Sequence, residues 1–155
     1  MRIFIVYNLV KFDRVLFFFK GFTIEFMSNG YTRDKTMIHE LTAQNFDTTL
    51  DQHDTVAIDF WAPWCQPCLA FKPIFERVSE QFPKVCFASV NVEAEKELSQ
   101  DFNIRQIPLI MILRQRVALF SEAGTLTQSA LVDLVQQALN LDMSALERES
   151  KDDET

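Results

Sequence analysis

The chain has no long uncharged apolar run. A membrane-spanning helix needs roughly 20 mostly apolar residues. The phenylalanine-rich opening, residues 1–26, has Val15-Leu16-Phe17-Phe18-Phe19 as its densest stretch. Arg2, Lys11, Asp13, Arg14, Lys20 and Glu25 break it, and its longest uncharged piece is Ile3 to Val10. No Ala-x-Ala cleavage site follows, so export or anchoring through residues 1–26 is the lesser reading. Positive charge is in deficit too. Fifteen Lys and Arg against 22 Asp and Glu leave a net charge of −7. That balance argues against a general nucleic-acid binder and favours a soluble, self-repelling protein, expected to be a monomer. Three cysteines are an odd number and too few for a disulfide scaffold. A reducing compartment, the cytoplasm, with one working pair and one spare thiol, fits that usage. Glycine is also scarce, three in all, so each is expected where the backbone requires it. Internal repeats are absent.

What remains divides into three parts. Residues 1–36 read as an extension with a polar, turn-rich linker, and Met27 and Met37 both offer starts closer to the regular pattern. Residues 37–141 carry that pattern and form one domain with a sizeable core. Residues 142–155 are a charged tail. Within the domain, Ile38–Leu41 is a short strand, and Thr42 caps a helix running to about Gln52. Thr55–Trp61 is nearly all apolar, as a central strand covered on both faces requires. A helix follows Cys65 with Pro73 inside it, where a kink is expected. Val85–Val92 is a buried strand and Glu93–Phe102 a helix with acidic residues in its first turn. Ile107–Leu113 and Val117–Glu122 form a hairpin across Arg114-Gln115-Arg116. Thr127–Leu141 is an amphipathic helix. The order β-α-β-α-β-α-β-β-α gives an α/β fold, a mixed central sheet with helices on both faces.

The chemistry concentrates in Trp64-Cys65-Gln66-Pro67-Cys68. Two cysteines three positions apart, at the first turn of a helix, lie on one face, so their sulfurs can meet. Free backbone N–H groups and the helix dipole stabilise a thiolate there. Cys65, nearer the helix start, is the attacking thiol; Cys68, one turn deeper, resolves the mixed disulfide. Structural zinc needs four ligands, and Cys86, His39 and His53 supply no second pair, so no metal is expected. Asp59 lies inside the apolar strand on the face opposite Val56, Ile58 and Phe60. A carboxylate there costs several kcal/mol unless it protonates or finds a partner, so its pKa should rise. A raised carboxyl beside two thiols can take the proton that Cys68 loses. Pro108 donates no ladder hydrogen bond and either starts a strand in trans or makes a tight turn in cis; the residues alone leave both open. Cys86 reads as a buried, inert thiol. The two histidines, near element ends, receive no role.

These residues resemble the thioredoxin family. Asp59-Phe60-Trp61-Ala62-x-Trp64-Cys65-x-Pro67-Cys68, Pro73, Ile104-Arg105-x-Ile107-Pro108 and Gly124 fall in its order and spacing, over about residues 38–141. The resemblance implies a thioredoxin fold and reduction of disulfides in protein substrates, with a Cys65–Cys68 disulfide forming on each turnover. It implies a cis Pro108 facing the cysteines, and an apolar substrate patch formed by Trp64, Ile107 and Gly124. Trp64, Gln66, Pro67 and Pro108 would tune the redox centre. No organic cofactor is implied; electrons would come from an NADPH-dependent thioredoxin reductase. The departures are Gln66 for glycine, Leu69 for lysine, Ser89 for lysine and Leu109 for threonine. Gln115-Arg116 replaces an Asn-Gly turn, so a type I′ turn is not expected.

Two alternatives differ in kind. An exported disulfide oxidase or isomerase would need a real export signal in residues 1–26. A non-catalytic binding or holdase module would use the apolar patch without needing Asp59 or either cysteine.

Overall fold

The computed structural model describes residues 38–144. The expected extension over residues 1–36, and all of the tail beyond Ser144, lie outside them. The order is β1 (His39–Glu40), α1 (Phe46–Gln52), β2 (Thr55–Trp61), α2 (Gln66–Ser79), β3 (Cys86–Asn91), α3 (Lys96–Asp101), β4 (Leu109–Arg114), β5 (Val117–Ala123) and α4 (Gln128–Asn140). The sheet has five strands in the order β1-β3-β2-β4-β5. β1, β3 and β2 run parallel, and β4 and β5 are antiparallel to their neighbours.

Strand alternation sorts the core into two layers. Val56, Ile58 and Phe60 of β2 pack with Phe46 and Leu50 of α1 and Leu98 of α3. Ala57 packs on the other face with Phe71, Phe75 and Val78 of α2 and Leu131, Val135 and Ala138 of α4. Six of the seven β2 residues, Asp59 among them, are buried, which is why the strand reads as continuously apolar rather than alternating.

Three boundaries differ from expectation for local reasons. α1 starts at Phe46 because Thr42 closes a turn: its carbonyl accepts from the N–H groups of Asn45 and Phe46, and its own N–H donates to Asn45 Oδ1 at 2.8 Å. Thr42 is therefore not a side-chain cap. α3 starts at Lys96, not Glu93, because Asn91 captures the preceding amides. Its carbonyl accepts from Ala94 and Glu95, and its Oδ1 from Glu93 N–H. β4 starts at Leu109, after the Ile107–Pro108 peptide, which is cis.

The β4–β5 hairpin overturns one expectation outright. Arg114 pairs with Val117, leaving a two-residue turn. Gln115 and Arg116 take φ of 51° and 65°, and positive φ at both central residues is the mark of a type I′ turn. Two side-chain-bearing residues in this region cost about 1–2 kcal/mol each. Tethers to the preceding segment offset that. Gln115 donates its N–H to the Asp54 carbonyl and its Nε2 to Asp54 Oδ1. Arg116 pairs with Asp47 at 3.0 Å and Asp51 at 2.8 Å.

Arg114 ties this end of the sheet to α4. Its Nη1 donates to the carbonyls of Ala138, Leu139 and Leu141, each at 2.9 Å, and its Nε to Asp54 Oδ2 at 3.1 Å. A helix end leaves four carbonyls without intrahelical partners, and the guanidinium serves this end. Arg114→Met keeps the stem and removes the donors. It is expected to cost about 1–3 kcal/mol in urea unfolding; an unchanged midpoint would show that water replaces the guanidinium.

Candidate active site

β2 ends at Trp61, and the chain turns through Ala62 to Cys65, whose N–H donates to the Ala62 carbonyl. Cys65 is the N-cap of α2, with Pro67 in the first turn. Pro67 suits that position because its missing N–H would have had no helical partner. Cys65 Sγ accepts from the Cys68 N–H at 3.3 Å, the bond a capping oxygen usually makes. Cys65 and Cys68 form a disulfide with sulfurs 2.05 Å apart. Both are buried against Ala62, with Trp61, Val92 and Ile107 packed around them.

Asp59 lies between Ser89 of β3 and Ile110 of β4 in the sheet register. Its Oδ1 is buried and accepts no hydrogen bond from the described residues. Burial pushes its carboxyl up to about 7, against the pull of the Lys72 charge. The expectation from the strand pattern, a carboxyl with raised pKa, holds. Asp59 and Cys68 line one cavity of about 410 Å³.

Pro108 is buried and follows a cis peptide, which decides the alternative that the residues left open. Its carbonyl accepts from the Gly124 N–H at 2.8 Å. Gly124 has φ of 122°, and a Cβ there would meet nothing within 4 Å. Backbone conformation, not crowding, therefore requires glycine. Trp64 is 62 % exposed and Leu69 40 %. Gln66 and Pro67 are exposed on the first turn of α2.

A family model described as Thioredoxin matches residues 37–137. This chain belongs to the thioredoxin family. A candidate thioredoxin 2 of Streptomyces coelicolor is 45 % identical over 109 residues, 70 % of this chain and 81 % of that protein. Thioredoxin C-3 of Corynebacterium nephridii is 37 % identical over 64 % of this chain and 70 % of its own length. The solution structure of oxidised thioredoxin from Plasmodium falciparum superposes with a TM-score of 0.60 at 26 % identity, covering 66 % of this chain and 98 % of that one. The thioredoxin fold and the chemistry of thiol–disulfide oxidoreduction follow from the family and the paired cysteines.

Two members of this thioredoxin site escaped the sequence reading. Glu93, read there as a helix-start acid, accepts from Trp64 Nε1 at 2.8 Å and holds the exposed indole beside the disulfide. Its signal is positional: Glu93 follows β3 as Trp64 follows β2, and sites gather at the carboxyl ends of parallel strands. Lys72 lies on the cavity wall with Cys68, Phe75 and Glu76. Its signal is the helical repeat, since Lys72 stands four residues after Cys68.

Cys86 is buried, and burial pushes its thiol up to about 11, in keeping with an inert thiol. The histidines are not apart: the His39 and His53 rings lie 6.0 Å from one another. Among the described residues no group of three metal-ligating side chains occurs, and no helix is long and apolar enough to cross a membrane.

The raised carboxyl makes stability depend on pH. Between the ordinary value near 3.8 and about 7, folded Asp59 holds a proton that the unfolded chain releases. Its contribution is thus fully present below pH 4 and is lost as pH rises through 7, on the order of 4 kcal/mol in all. His53, whose pKa burial lowers, has the opposite slope. The difference between oxidised wild type and Asp59→Asn isolates Asp59. Denaturant unfolding at pH 5 and pH 8.5 should show the variant gaining stability relative to wild type as pH rises; parallel curves would refute the raised carboxyl.

Proposed function

We propose that this protein reduces disulfides in other proteins by dithiol–disulfide exchange, with Cys65 as nucleophile and Cys68 as resolving thiol. The observation that carries the reading is the Cys65–Cys68 disulfide at the start of α2, sharing a cavity with a buried carboxyl whose Oδ1 has no hydrogen-bond partner among the described residues. The Cys65 thiolate attacks one sulfur of a substrate disulfide, and the other leaves as a thiolate that takes a proton from solvent. Asp59, as carboxylate, takes the proton from Cys68. The Cys68 thiolate then attacks Cys65 Sγ, the bond from Cys65 to substrate breaks, and the second substrate thiol departs. Two electrons pass from the dithiol to the substrate.

Trp64, Ile107 and Gly124 are the proposed substrate face. The exposed indole and the open surface over Gly124 support it. Gln66, Pro67 and the cis Pro108 are the proposed tuning residues beside the sulfurs. The electrons are proposed to come from an NADPH-dependent thioredoxin reductase. A cytoplasmic site of action suits the sparse, odd-numbered cysteines.

Insulin disulfides with an added dithiol test the reading. Wild type should accelerate reduction, Cys65→Ser should abolish the acceleration, and Cys68→Ser should accumulate a mixed disulfide through Cys65. No acceleration over the free dithiol would defeat the proposal. The dithiol potential separates a reductase from an oxidase. A value below about −200 mV is expected, and one near about −120 mV would favour the oxidase.

A further inference from the structure

The cavity beside the disulfide reaches past it. Its wall includes Cys68 and Asp59, and then Ser89, Lys72, Glu76 and Glu40. At about 410 Å³ it is far larger than the ~10–15 Å³ that one water needs. Its polar wall would keep that water hydrogen-bonded. Asp59 faces this space with Oδ1 bonded to nothing in the described protein. Lys72 and Glu40 are exposed and Glu76 is partly buried, so the far end of the cavity opens to solvent. A proton placed on Asp59 thus has a way out that does not return past the sulfurs.

Among the described residues Lys72 is the only cation on this wall, where the other charged groups are Asp59, Glu40 and Glu76. It makes no ion pair or hydrogen bond among the described residues. Its charge nevertheless acts on Asp59, favouring the carboxylate. The two groups therefore interact across a gap, and a water-filled gap transmits charge by ordering the water between. The sheet explains why a helix supplies this cation. Ser89 stands directly beside Asp59 on β3 and carries no charge, whereas Lys72 reaches the cavity from α2, one turn beyond Cys68.

We propose that Lys72 is a positioning residue for the proton step: across the cavity its ammonium orders the water joining Asp59 to solvent and favours the carboxylate that receives the Cys68 proton. This rests on the reductase reading for its place in turnover. The balance is simple. Cys68 gives its proton to Asp59 and its electron pair to the Cys65 sulfur. Asp59 then passes the proton to cavity water, which releases it to bulk solvent between Lys72 and Glu76.

The test uses the full chain with Lys72→Met and Lys72→Arg. Carbon-13 NMR follows the Asp59 carboxyl in the oxidised protein, a readout independent of activity. Lys72→Met should move its titration midpoint upward, and Lys72→Arg should leave it near wild type. In insulin reduction, Lys72→Met should move the pH profile in the same direction and slow turnover near pH 7 about two- to fivefold, the range of one partly screened charge. In an Asp59→Asn background Lys72→Met should have no further effect. An unmoved Asp59 midpoint overturns the proposal, as does an undiminished effect of Lys72→Met without Asp59, which would place the lysine on substrate instead. If wild type fails to reduce insulin, the reductase reading falls while the NMR arm still decides whether Lys72 governs Asp59.

Discussion

Asp59 sits in the central strand with β3 on one side and β4 on the other, buried so that little water reaches its charge. A carboxylate in that position is held at a cost, and the protein meets it by keeping a proton there up to about pH 7. The same burial makes the charged group a destabilising one at higher pH. The fold around it has to supply the difference. It does so with two apolar layers, one on each face of β2, contributed by α1 and α3 below and by α2 and α4 above.

The disulfide and that carboxyl border one cavity because of where the strand ends. β2 ends at Trp61, so α2 begins a few residues beyond Asp59 and its first turn overhangs the same cavity. Cys65 caps the helix with its sulfur and Cys68 lies one turn inside. The cis Pro108 carbonyl accepts from the Gly124 N–H, and Ile107 packs on the cluster of Ala62, Cys65 and Cys68.

Away from the site the structure relies on polar ties where the backbone is unusual. The Gln115-Arg116 turn takes positive φ without a glycine and is fastened to Asp47, Asp51 and Asp54. Arg114 closes the carbonyl end of α4. These bonds lie at the opposite end of β4 from Pro108, so they maintain the sheet that carries the site without entering it.

Periodicity in the chain was enough to order the nine elements, to place Asp59 on the face of β2 opposite Val56, Ile58 and Phe60 and to put both cysteines at a helix start, because such patterns are local. The family motif added the cis form of Pro108, which spacing had left undecided. Tertiary structure decided what local patterns cannot. The I′ turn at Gln115-Arg116 defied its residue types because its partners are aspartates more than 60 positions earlier. Glu93 came to Trp64 because two strands end at the same edge of the sheet. Lys72 acquired a bearing on Asp59 only when α2 folded over β2 and enclosed a cavity between them. Charge acts through space, and only the packed chain sets which charges are near.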